Sequence, residues 1–138
     1  MTDSFDARYL NPPGGTVATY TFPGRITQVG VEHLSIVAPG QEVTGAQYQA
    51  VNMSNAMNGW LRDLTIQDTR NTISLNNTTK RVTIDSVNVM HTYRQSNSAA
   101  PTDFALSGTE LLANNCSVTG TGNSWPFVTH SRVTGPAA

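Results

Sequence analysis

The sequence predicts an all-β solenoid, and three observations predict it. Apolar residues separated by a gap of three and then a gap of two stand at Val31, Leu34 and Ile36. The same spacing returns at Leu61, Leu64 and Ile66, at Ile84, Val87 and Val89, and at Ala113, Cys116 and Val118, in steps of 30, 23 and 29 residues. A shorter apolar pair precedes each later copy, at Val51 and Met53, Ile73 and Leu75, and Phe104 and Leu106, with Phe127 and Thr129 opening a further round. Strand-length units recurring at a period of this size imply stacked repeats. Finally, Val, Ile and Thr dominate the repeats while Gly, Asn and Pro punctuate them, and no window keeps helical spacing for three turns.

The first element in order is an N-terminal segment, residues 1–30, read as a cap. It carries the turn cluster Asn11-Pro12-Pro13-Gly14-Gly15 and an alternating strand over Val17–Phe22, closed by Pro23-Gly24. A stack of strands needs such a cover, because its first rung otherwise leaves an open sheet edge. The solenoid proper is expected over residues 31–138, within a single domain overall. Its first coil contains Val29–Val37, followed by a Gly-, Pro- and Gln-containing loop, Ala38–Gln49. The second comprises Ala50–Ser54, a turn over Asn55–Gly59 and Trp60–Gln67; after the short link Asp68–Asn71, the third comprises Thr72–Asn76 and Arg81–Met90. A polar segment, His91–Asp103, leads to the fourth, Phe104–Ser107 and Glu110–Thr119, and a fifth begins at Trp125–Ser131.

The gap of three has a physical reading. Two residues turn a sharp corner between short strands, so that apolar side chains on both sides point inward. Those corners are Glu32-His33, Arg62-Asp63, Asp85-Ser86 and Asn114-Asn115. Coils stack about 4.8 Å apart, so corner residues lie above one another. Glu32, Arg62, Asp85 and Asn114 then form a cross-strand charge ladder, and His33, Asp63, Ser86 and Asn115 a column of small polar bends.

Composition excludes several functions. A net charge of −1 with 12% charged residues gives no nucleic-acid footprint and no polybasic membrane patch. No apolar run is long enough to span a membrane. The start MTDSFDARYL lacks the basic and apolar regions of a signal peptide, although the Thr-, Ser-, Asn- and Gly-rich surface suits an extracellular or periplasmic protein. Cys116, a single cysteine at an inward position, reads as a small buried hydrophobe. His33, His91 and His130 fall in different coils without paired ligand spacing, so no metal site and no cofactor is expected.

The segments Ala50–Ile66, Arg81–Val87 and Phe127–Pro136 resemble a bacterial group of the pectin-lyase-like superfamily, and the resemblance extends over roughly residues 29–136. It implies a right-handed parallel β-helix of about four to five coils, and it carries no catalytic motif. In those relatives further coils follow the Gly-Pro, which leaves a fragment, or an open C-terminal coil covered by another subunit, as the two expectations here.

Both insertions, Ala38–Gln49 and His91–Asp103, leave the same corner of the repeat, so they are expected to wall a groove floored by Asp68–Asn71. Its ligand-binding candidates are Glu42, Tyr48, Arg70, Tyr93 and Trp125, and its catalytic candidates are Asp103, Arg94, His91 and Asp68. Carboxylates, arginines and aromatic faces suit sugars. A lyase needs cations for a uronate carboxylate and a base for the proton alpha to it, from His91 or Arg94. A hydrolase needs two carboxylates about 5–9.5 Å apart, for which Asp68 and Asp103 are the pair. The expected function is therefore action on, or binding of, an extended polysaccharide by a polysaccharide lyase-like or glycoside hydrolase-like β-helix. The alternative is a non-catalytic structural module that self-associates through its C-terminal coil, Trp125–Val133.

Overall fold

The computed structural model describes residues 21–39, 49–92, 102–120 and 125–129, and for Trp125, Val128 and Thr129 the backbone alone. Among them the structure is all-β: β1 (Ile26–Thr27), β2 (Gly30–Val37), β3 (Val51–Met53), β4 (Ala56–Gln67), β5 (Ile73–Leu75), β6 (Lys80–His91), β7 (Thr102–Leu106), β8 (Thr109–Asn114), β9 (Ser117–Gly120) and β10 (Trp125–Thr129). The strands make two sheets. The larger runs β1-β4-β6-β8, with β2 also on β4 and β9 also on β6; the smaller runs β10-β7-β5-β3. Each pairing among the described residues is parallel. The chain visits the two sheets in turn, and neither sheet closes on itself. No helix is long and apolar enough to cross a membrane among the described residues.

The apolar spacing sets the register. Val31 pairs with Leu61, Leu61 with Ile84 and Ile84 with Ala113. Ile36, Ile66, Val89 and Val118 form a second such series. In the smaller sheet Val51, Ile73, Phe104 and Phe127 are register partners in succession. The Phe104 and Phe127 rings stack with centroids 4.5 Å apart. One core takes side chains from both sheets, including Leu61, Leu64 and Ile66 with Ile73, Leu75 and Phe104.

The corners are tighter than the sequence suggests. One residue, not two, makes each bend: His33, Asp63, Ser86 and Asn115 have φ of 54°, 51°, 57° and 50°, while Glu32, Arg62 and Asp85 before them stay in the pairing register. A second column of left-handed residues, which the apolar pattern does not reveal, comprises Gln28, Asn58, Arg81 and Glu110 with φ of 56°, 54°, 52° and 54°. β4 and β6 are therefore each bent twice, at fixed heights. The expected turn over Asn55–Gly59 is accordingly mostly strand, since β4 begins at Ala56. Pairing also begins ahead of Val31, at Ile26 on Ala56. The strand expected over Val17–Phe22 falls largely outside the described residues; Thr21 and Phe22 are not strand.

Burial grades from the middle of the stack to its edge. Leu64 on β4 and Val87 on β6 are fully buried, whereas Leu34, the β2 partner of Leu64, is 46% exposed. Leu64→Ala should therefore destabilise the fold by about 3 kcal/mol, within the range for buried leucines, and Leu34→Ala by under about 1 kcal/mol. Urea denaturation midpoints at unchanged m-value check the contrast, and equal shifts would contradict the burial gradient.

Candidate functional site

The corner from which both insertions depart joins the ends of β2, β4 and β6 to the starts of β3, β5 and β7, and the short β4–β5 link lies between the two insertions in the repeat. Parallel register stacks its residues: Thr72, just before β5, donates its amide to the Thr102 carbonyl at the start of β7, at 3.1 Å. Asp68, just after β4, lies one strand away from the end of β6, where its amide donates to the Met90 carbonyl at 3.0 Å. Polar side chains at this corner are consequently drawn between sheet and link, out of solvent.

Two linked sets of hydrogen bonds result. The Thr92 amide donates to Asp68 Oδ1 and its hydroxyl to Asp68 Oδ2, both at 2.7 Å, and Gln67 Nε2 donates to the same Oδ2 at 3.0 Å. In the second set the Thr72 hydroxyl donates to Asp103 Oδ1 at 2.9 Å and shares a hydrogen bond with the Thr69 hydroxyl at 2.7 Å. His91 Nε2 lies 3.0 Å from the same Asp103 oxygen. Asp103 is fully buried, His91 is 2% exposed and Asp68 4%. A buried carboxylate accepting from a hydroxyl and an imidazole is the arrangement in which a charge tolerates burial.

Titration follows from these contacts. The hydrogen bond to Asp103 raises the His91 pKa above its ordinary 6.5; burial opposes the rise, and the charges of Asp103 and Asp68 add to it. Burial would raise the Asp68 pKa, but the Thr92 hydroxyl and amide, Gln67 and nearby His91 together hold it below the ordinary 3.8. His91 Nδ1 is buried without a hydrogen-bond partner among the described residues. With Nε2–H directed at Asp103, that atom is a lone pair when the ring is neutral and a second N–H when it is charged.

Of the residues expected from sequence, Asp103, His91 and Asp68 do come together, but as members of strands or strand ends beneath the surface. His91 closes β6 and Asp103 lies in β7, so neither belongs to a solvated loop. Arg70 is partly buried in the link between β4 and β5. Glu42, Tyr48, Tyr93 and Arg94 lie outside the described residues, and of Trp125 only the backbone, in register with Thr102, is described. Sequence reasoning missed Thr69, Thr72 and Thr92. The available hint was a threonine next to each acidic residue at a strand boundary, Thr69 after Asp68 and Thr102 before Asp103, a pattern too common to single out.

In chemical terms, Asp68 is an unsuitable proton donor to a glycosidic oxygen, since its contacts favour the ionised form. Three metal donors do not converge anywhere among the described residues. On the outer face of the larger sheet, the ladder expected from sequence is segmented. Arg62 Nη1 is 3.9 Å from Glu32, His33 Nδ1 is 2.7 Å from Asp63, and Asp85 Oδ1 accepts from the Asn114 and Asn115 amides at 3.1 and 3.3 Å. Compared with protein-family models, curated proteins and solved structures, the chain matches none.

The two shifted groups bound a pH window. The His91 contribution is complete below the unfolded-state value of 6.5 and fades as pH rises through its raised native value. The Asp68 contribution is complete above 3.8 and fades as pH falls through its lowered native value. Stability from this corner should be greatest between the two. Asp103→Asn should cost about 3 kcal/mol at pH 5, where the His91 contribution is complete, and flatten the loss on the alkaline side. Denaturant melts of both proteins from pH 4 to 9 measure this; an alkaline limb unchanged in the variant would refute the assignment.

Proposed function

We propose that the chain is a right-handed parallel β-helix similar to those of the pectin-lyase-like superfamily, and that it binds an extended polysaccharide. Support for the winding comes from a chain that alternates between two parallel sheets, with each strand in register with its counterpart one repeat later. Parallel crossovers are right-handed in about 98% of cases, which supports that hand. Support for an extended ligand comes from the straight outward columns that this register produces, at a spacing of about 4.8 Å per strand.

The observation that favours recognition over cleavage is the burial of Asp103, His91 and Asp68, whose oxygens and Nε2 are already engaged by Thr72, Thr92, Gln67 and one another. A polymer cannot deliver a glycosidic oxygen or an alpha proton to groups so enclosed. The polar surface suits an extracellular or periplasmic setting. On this reading a panel of neutral and uronate polysaccharides gives retention in affinity electrophoresis, with neither ultraviolet-absorbing unsaturated ends nor new reducing ends. Turnover abolished by Asp103→Asn in a variant that remains folded would reject the non-catalytic assignment.

One observation favours a second reading, a structural module that stacks on another copy of itself. Phe127 on β10, at the edge of the smaller sheet, is 50% exposed although its register partner Phe104 is fully buried. Self-association through this edge should appear in light scattering as mass rising with concentration and falling in Phe127→Ser. A monomer at every concentration would dismiss it.

A further inference from the structure

We propose that the outer face of the larger sheet around Trp60 is a binding platform for a neutral pyranose of that polysaccharide, an inference that rests on the polysaccharide reading above. The platform starts from a glycine. Gly30 is the register partner of Trp60, and a Cβ added to it would lie 2.5 Å from both Cδ2 and Cε2 of the indole. Those two carbons are the ring-fusion atoms at the centre of the bicycle. A point nearer to them than to any other ring atom stands over the ring's face, not at its rim. The indole therefore lies with one face on the Gly30 backbone and its other face turned away from it, and the residue keeps partial exposure.

The ring is also fixed in its plane. Its Nε1–H donates to Glu32 Oε2 at 3.1 Å, and Arg62 Nη1 approaches the same oxygen at 3.9 Å. An indole seated on glycine and tethered through its nitrogen loses little freedom when a ligand covers it, which favours binding. Along the stack the Trp60 column continues through Thr83 to Leu112, which is 48% exposed, while the neighbouring column runs from Arg62 to Asp85 and Asn114. An apolar strip beside a hydrogen-bonding strip matches a pyranose, which has an aliphatic C–H face and hydroxyls around its edge.

Charge selects among sugars. Glu32 and Arg62 stand at the indole nitrogen, and farther along the same face come Asp63, paired with His33, and Asp85, while the cations of the other bend, Arg81 and Lys80, are both paired with Glu110. A uronate would bring a further negative charge to a patch already rich in them, whereas neutral hydroxyls can donate to these acceptors. The predicted ligand is thus a neutral hexopyranose or pentopyranose chain.

The chain has two tryptophans, so in a Trp125→Phe background fluorescence reports Trp60 alone. Titration with cello-oligosaccharide and xylo-oligosaccharide should shift and quench that emission, and oligogalacturonate of equal length should not. Calorimetry should show at least a tenfold loss of affinity in Trp60→Ala and several-fold in Arg62→Ala. Arg62 is 55% exposed, so its removal leaves the fold intact, and Arg81→Asn at the other bend should bind as the parent does. Neutral-sugar binding undiminished in both Trp60→Ala and Arg62→Ala would overturn the platform and leave the polysaccharide reading standing. Binding of oligogalacturonate alone would overturn the choice of a neutral ligand. Failure of every polysaccharide and oligosaccharide to bind the unmodified chain would overturn both.

Discussion

A left-handed residue repeated at the same height in successive strands is the constraint from which this architecture follows. His33, Asp63, Ser86 and Asn115 each carry positive φ between inward apolar residues. The bend changes the direction of the strand without changing the face on which its core residues lie. An L-residue in that conformation costs on the order of 1–2 kcal/mol, least for Asn and Asp. The cost is met by what the bend permits: Leu61, Leu64 and Ile66 all reach full burial from one strand, as do Ile84 and Val87 from the next, with Val89 at 1% exposure. A straight strand of period two would turn one side of the bend outward.

This is why the first bend was legible and the second was not. The bend at residue 33, 63, 86 or 115 interrupts an alternating apolar pattern, so it leaves a gap of three in the sequence. The bend at residue 28, 58, 81 or 110 falls before the main apolar run and interrupts nothing. Its occupants add to the concealment, since Arg81 and Glu110 are poor candidates for left-handed backbone. Their position has a compensation that only the register exposes. Glu110 sits one strand from Arg81 and accepts from its Nε, with Lys80 Nζ 3.1 Å from the other oxygen. The Arg81 contact first, then Lys80, holds the Glu110 carboxyl below its usual range despite slight burial. Such pairing between adjacent parallel strands is invisible until the repeat length is known residue by residue.

The polar corner was half legible for a related reason. Sequence alone brings His91, Asp103 and Asp68 to one corner, because the repeat places all three between the same two units. It does not give their environment. Whether a side chain at a strand end faces solvent or the link depends on a single residue of register, and a one-residue slip exchanges the two faces. His91 and Asp103 read as the limits of a solvated segment, yet one ends β6 and the other lies inside β7. The threonines carried no apolar period and were unreadable. Thr72 nevertheless connects Asp103 to Thr69, so these hydroxyls decide that the carboxylate is supplied with donors.

Burial and exposure divide the charged residues between an enclosed network and a solvent-facing sheet surface. At the corner, acidic and basic groups meet below the surface, and their hydrogen-bonding capacity is taken up there except at the buried His91 Nδ1. On the outer face of the larger sheet the same residue types are separated by the strand spacing and keep unused capacity toward solvent; Arg62, 3.9 Å from Glu32, is the clearest case. A surface ion pair at that distance contributes at most about 1 kcal/mol to stability, so neither group is committed by it. The indole of Trp60 is committed, however, since Gly30 beneath it leaves no room for a side chain and Glu32 holds its nitrogen. A rigid aromatic face beside polar groups with capacity to spare is what a weakly hydrated sugar face requires. On the proposed reading, stacking of the strands would offer that polar column to a chain at one strand spacing per step.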